Sequence, residues 1–182
     1  MKSIMMSIKP KYVAKILNGE KTIEIRKRFP KDYRGWVYIY CTKKEYLYRT
    51  NKGYFSSKKP LQVGKGTEYT YAYSDEGKVV ARFYCDKVEE IMFYDKEVQR
   101  KACLTEDELF DYLFVNEPYH EDMKNGYGIH ISQLEIFDKP RELSEFKLFN
   151  NGMPQYRFTK NSCEYRTLTK APQSWCYIEE EK

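Results

Sequence analysis

Apolar and polar side chains alternate at the start of the chain. Ile4, Met6 and Ile8 fall on one side of an extended segment over residues 3 to 8, and Ser3, Met5, Ser7 and Lys9 fall on the other. Pro10 suits a first helical turn, Tyr12, Val13, Ile16 and Leu17 recur at helical spacing, and Asn18-Gly19 supplies the stop. From Lys21 the period returns to two: Ile23 and Ile25 point to a core, while Thr22, Glu24, Arg26 and Arg28 share a charged face. Trp36 to Cys41 is apolar on both sides, the pattern of a central strand.

Residues 43 to 78 break this order, with Tyr46 and Tyr48, then Tyr69, Tyr71 and Tyr73, alternating with polar residues, which predicts a long inserted hairpin or loop. Lys78 to Tyr94 returns to strand, with Val79, Ala81, Phe83 and Cys85 inward. Thr105 opens a helix through a capping box to Glu108, followed by Leu109, Phe110, Leu113 and Phe114. Tyr127, Ile129 and Ile131 form a last core strand and leave His130 on its opposite face. The order β-α-β-β-(insert)-β-α-β, with strands outnumbering helices, predicts a small α+β domain with a curled sheet; a doubly wound parallel fold needs more crossover helices. The expected layout is one domain over residues 1 to 146 with an insertion at about 43 to 78, and an irregular extension from 147 to 182 packed on it.

Composition narrows the class. At 182 residues, the chain can bury one sizeable core, and 18 Tyr with 10 Phe give it more apolar surface than a disordered chain carries. No uninterrupted apolar run reaches membrane-spanning length, and the opening MKSIMMSIKPKYV lacks an export signal, so no membrane association and a cytoplasmic location are expected. Five scattered cysteines without a CxxC pair predict neither a disulfide framework nor a zinc site; no metal and no cofactor are expected. The formal charge of +5 conceals an asymmetry: residues 1 to 42 hold ten Lys/Arg against three Asp/Glu, residues 43 to 78 hold eight against four, and the remainder is acidic. A strongly basic leading part points to a polyanionic partner.

The segment Gly19-Glu20-Lys21-Thr22-Ile23-Glu24-Ile25-Arg26 follows a strand and a short helix, and it resembles the GxKxxExR signature of the ASCH family. The opening SIKPKYVAKILNGEKTIEIRKR, the later GIHISQLEIFDKPRELSEF and the ending PQSWCYIEEE are similar to small ASCH proteins of bacteria and their phages. The resemblance implies a PUA-like curled β-barrel with short flanking helices, whose charged motif lines a cleft for RNA or a nucleobase. It covers residues 3 to 42 and 78 to 146 and leaves the insertion without a counterpart.

The residue chemistry points to the same place. Lys21, Thr22, Glu24, Arg26 and Arg28 belong in solvent or in a polar cleft, because such side chains do not enter a core without partners. Arg presents a planar fork, Lys a mobile point charge, and Glu accepts from exocyclic amines such as that of cytosine. Lys9, Tyr40 and His130 complete the candidate ligand-binding set, Tyr38 and Tyr40 offering stacking faces or core packing, and Trp175 offering the same choice.

Two classes of function follow. One is a module binding single-stranded RNA or a modified nucleobase through a basic cleft. The other is a metal-independent hydrolase in which Lys21 and Glu24 are catalytic, either a ribonuclease or an amidohydrolase acting on acylated cytidine. In the amidohydrolase branch of the family the motif lysine activates a threonine at the position that is Glu24 here, so this chain departs at that residue. A protein-protein adaptor working through the Tyr-rich insertion is a third reading.

Overall fold

The computed structural model describes residues 2–114, 126–150, 153–154, 156–158 and 163–179. Its main sheet has five strands in the order β10-β7-β3-β1-β15. These are β1 (Lys2–Ile8), β3 (Gly35–Cys41), β7 (Val79–Cys85), β10 (Ser132–Arg141) and β15 (Trp175–Glu179). Among the described residues only β1 and β3 run parallel, Ile4 opposite Val37 and Ile8 opposite Cys41. A second sheet, ordered β2-β9-β8, is formed by β2 (Ile23–Arg26), β8 (Val88–Ile91) and β9 (Gly126–His130). The chain passes from the main sheet to the second between β1 and β2 and between β7 and β8, and returns between β2 and β3 and between β9 and β10. The class is α+β, as the element order predicts; the ladders of the described residues stay in separate sheets and do not close into a barrel.

The first core lies on the face of the main sheet that carries Ile4, Met6, Ile8, Val37, Ile39, Ala81 and Phe83, and it takes in the helix α1 (Pro10–Leu17) through Val13, Ala14, Ile16 and Leu17. The predicted start and stop of α1 both hold, with Pro10 in its first turn and Gly19 at φ 77°, the left-handed conformation that a helix terminator takes. The opposite face of the sheet is also buried, with Met5, Tyr38, Tyr40, Phe146, Leu168 and Ile178 packing together. Val79 belongs to this second group although alternation places it inward with Ala81 and Phe83, because the β3–β7 pairing slips between Ile39 and Tyr40 and turns it over.

Residues 46 to 74 form a third sheet, ordered β5-β4-β6, from β4 (Tyr46–Thr50), β5 (Gly53–Ser57) and β6 (Ala72–Ser74). It is tied to the rest of the fold: Leu47 is fully buried in the first core, Asn18 Nδ2 donates to the Tyr54 carbonyl at 2.7 Å and the Tyr54 amide donates to Asn18 Oδ1 at 3.0 Å. Two helices lie between β8 and β9. These are α2 (Lys96–Ala102), which the sequence reading does not include, and α3 (Glu106–Phe114), whose Thr105–Glu108 capping box is formed in both directions at 3.1 Å. Beyond β10, the short strands β11 (Phe149–Asn150), β12 (Met153–Pro154), β13 (Tyr156–Phe158) and β14 (Cys163–Tyr165) pair as two hairpins. The extension is therefore not irregular throughout: β15 pairs antiparallel with β1, Ile4 opposite Tyr177. Among the described residues, no helix is long and apolar enough to cross a membrane.

Candidate functional site

Strand β2 has an unusual division of its faces. Ile23 and Ile25 pack with Ile91, Val98, Ala102, Leu109 and Leu113, so α2 and α3 cover that side. Glu24 is registered against Ile129, a member of the first core, and so points inward between the two sheets. The face read from the sequence as charged, lying in solvent or in a polar cleft, is at Glu24 and Arg26 an internal one, and Lys21, Glu24 and Arg26 are 2%, 3% and 8% exposed.

The three side chains enter this interior as partners. Arg26 Nη1 lies 2.7 Å from Glu24 Oε1, and Lys21 Nζ lies 3.4 Å from Glu24 Oε2. The two cations are further held by backbone carbonyls: Lys21 Nζ donates to Ala102 O at 2.7 Å and Arg26 Nη2 donates to Ser7 O at 2.8 Å. Tyr12 closes one side, its ring centre 5.4 Å from Lys21 Nζ. Burial holds the Lys21 amine below the usual lysine range, against the opposing pull of Glu24. Burial also pushes the Tyr12 phenol up.

This carboxylate between two cations is not fully satisfied. Both atoms are shielded from solvent: Glu24 Oε2 has no contact beyond the long ion pair with Lys21, and Arg26 Nε has no hydrogen-bond partner among the described residues. One acceptor and one donor are left over within one buried cluster, where an unmet polar group costs about 1 to 3 kcal/mol.

The remaining candidates stand elsewhere. Thr22 and Arg28 are exposed; the Thr22 amide donates to Lys101 O at 2.9 Å, and the Arg28 carbonyl accepts from Trp175 Nε1 at 2.8 Å. Lys9 is exposed at the N-cap of α1, two residues beyond the Ser7 carbonyl that holds Arg26. Tyr40 lies in the second core group, and Trp175 packs edge-on against Phe29 at 5.6 Å. His130 is registered against Ile23, on the face away from Glu24, and its Nε2 lies 2.7 Å from Glu89 Oε1. Burial raises the Glu89 carboxyl, but bonds from Lys87 and His130 outweigh it and hold the group below its ordinary value.

Sequence reasoning missed the contribution of α2 to the site. Its last residue, Ala102, supplies the carbonyl for Lys21, and Cys103 beyond it adopts φ 53° with its thiol 3.4 Å from Glu20 O. The signal was present: Asp95 accepts from the amides of Glu97 and Val98 as an N-cap, and Val98 and Ala102 sit one turn apart. Among the described residues, no group of three or more His, Cys, Asp or Glu is arranged to hold a metal ion.

No family model and no curated protein matches the chain. Solved structures do. The structure of an ASCH protein from Zymomonas mobilis aligns over 98% of this chain and 88% of its own, at TM-score 0.57 and 16% identity. A point variant of that protein aligns over 99% and 92%, again at TM-score 0.57 and 16% identity. The fold of this chain is ASCH-like.

Proposed function

We propose that the protein binds single-stranded RNA and that Lys21, Glu24 and Arg26 recognise a base of it. The observation that carries this reading is spare hydrogen-bonding capacity of both kinds: Glu24 Oε2, held only by the 3.4 Å ion pair to Lys21, beside Arg26 Nε, which has no partner among the described residues. An amine-bearing base edge offers the complementary pair, a donor for the carboxylate and an acceptor for the guanidinium. Phosphate alone would satisfy the cations and repel Glu24, so the mixed cluster favours a base over a bare anion. The ASCH-like fold supports the reading, as does the excess of Lys/Arg over Asp/Glu in residues 1 to 78. We read the two main sheets as the halves of one curled barrel whose interior holds the site, with Tyr12 as the side chain that moves to admit the base.

A hydrolase is the second reading, favoured by one feature: an amine whose proton affinity is lowered by burial lies 3.4 Å from a carboxylate oxygen. Such a pair can pass a proton without metal. Incubation of the wild-type protein in EDTA with labelled RNA and with acylated cytidine, followed by mass spectrometry, separates the two. Binding of RNA with neither substrate changed supports recognition; a product lost in Glu24→Gln overturns it in favour of catalysis.

A further inference from the structure

The third sheet carries a row of rings unrelated to the buried cluster. Tyr46 stacks on Tyr48 with centroids 5.7 Å apart, Tyr48 meets Phe55 at 5.5 Å, and Phe55 stacks on Tyr69 at 5.0 Å. At the Tyr69 end the row is closed by the Lys52 ammonium, 5.8 Å from the ring centre. At the other end stands Tyr46, half-buried, with no further ring contact among the described residues.

The strand register decides what surrounds that end. Tyr46 is opposite Ser57, so the residues just before β4 and just after β5 emerge side by side. Those residues are Lys43 and Lys44 on one segment and Lys58 and Lys59 on the other, all four exposed. They are presented in fixed turns: Ser57 Oγ donates to Lys59 O at 2.8 Å and accepts from the Lys59 amide at 3.1 Å. The next turn is pinned by the Leu61 amide donating to Tyr48 Oη at 3.0 Å. Glu45 and Glu76 are the neighbouring acids, and Glu76 is engaged by the Leu47 amide and by Ser74 Oγ.

We propose that this end of the third sheet is a second contact surface for single-stranded nucleic acid: one base continues the ring row by stacking on Tyr46, while Lys44, Lys58 and Lys59 meet flanking phosphates. The inference rests on the RNA reading above and adds to it a place where the backbone is held irrespective of sequence. A ring at the open end of a stack, ringed by lysines, matches the alternation of flat bases and negative phosphates in a single strand. An acidic polypeptide would use the lysines and leave Tyr46 idle.

The test uses fluorescein-labelled oligouridylate of about 12 nucleotides, long enough for one single-strand site and lacking the exocyclic amine that Glu24 would read. Anisotropy titrations across salt compare wild type, Lys44→Ala/Lys58→Ala/Lys59→Ala, Tyr46→Leu and Glu24→Gln, with thermal melts confirming that each is folded. Losing three phosphate contacts should make the slope of log affinity against log salt shallower by about 2. Tyr46→Leu should weaken binding roughly five- to a hundredfold with the slope unchanged. Any weakening in Glu24→Gln reports the buried cluster and not this surface, because Glu24 lies outside the ring row and the lysines. A wild-type slope in the triple variant overturns the proposal, as does displacement of the probe by polyaspartate as readily as by RNA. If Glu24→Gln weakens oligouridylate and the lysine variant does not, this surface fails and the role of the buried cluster stands. If wild type ignores oligouridylate at low salt, the surface fails whatever the cluster does.

Discussion

Lys21 Nζ donates to the carbonyl oxygen of Ala102 at 2.7 Å, so the amine of one candidate site residue is fixed by the last residue of a helix 81 positions further along the chain. The bond orients the ammonium toward Glu24 and leaves it little water to stabilise its charge.

The pH dependence of binding follows from that burial. The folded amine loses its proton below the ordinary lysine value of 10.5, so binding that requires the ammonium should fall as pH rises through the depressed value. Lys21→Arg, which stays protonated, should abolish this alkaline limb even if it binds less tightly. Stability should move the other way: between the depressed value and 10.5 the unfolded chain binds more protons than the folded one, so unfolding free energy should rise with pH there. Urea titrations of wild type and Lys21→Met at several alkaline pH values check the slope, which the variant should lose.

Removal of Glu24 tests the internal ion cluster. Glu24→Ala leaves Lys21 and Arg26 as two buried cations with backbone acceptors alone, and it should cost about 3 to 5 kcal/mol in urea unfolding. Replacement of the whole cluster by apolar residues of similar volume should cost far less. A loss below about 1 kcal/mol for Glu24→Ala would show that water reaches the cluster freely.

The third sheet is held by a second latch that can be measured separately. Arg49 donates from Nη2 to Phe137 O at 2.7 Å and from Nη1 to Asp138 O at 3.0 Å, and its Nε faces Asp75 Oδ2 at 3.5 Å. Burial pushes the Asp75 carboxyl up, with Arg49 opposing. Arg49→Met should destabilise by about 1 to 3 kcal/mol, because it strands the Asp75 carboxylate, and adding Asp75→Asn should recover part of that loss in a double-mutant cycle.

Leu47 measures how far the inserted segment belongs to the fold. It is fully buried in the first core, so Leu47→Ala should cost about 2 to 5 kcal/mol in urea unfolding. By the same reasoning, replacing residues 44 to 76 with a short linker should lower the melting temperature. An unchanged melting temperature would make the segment a removable attachment.

Local period was enough to place β1, α1, β2 and β3, because each has one apolar face that a core must cover. The same period could not say which face of β2 looks inward. Ile23 and Ile25 are buried under α2 and α3, and Glu24 and Arg26 are buried between the sheets, so both faces are interior and only one is apolar. Ser7 and Ala102 are backbone acceptors, and no side-chain pattern announces a carbonyl; their role arises only when β1 and α2 are brought beside β2. The bulge that turns Val79 over is likewise set by its pairing with Tyr40 on β3, a contact 39 residues away in sequence.

The central claim is that the spare acceptor and donor of the Lys21–Glu24–Arg26 cluster read a base edge. The most direct test compares oligocytidylate with oligouridylate of equal length on the wild-type protein at one fixed salt concentration, by anisotropy. The phosphate contacts are common to both, and the bases differ at the exocyclic amine that meets Glu24. Preference for the cytidine strand by about 1 to 3 kcal/mol, collapsing in Glu24→Gln, is the expected result. Equal affinity for the two strands, or a preference that survives Glu24→Gln, would contradict the claim.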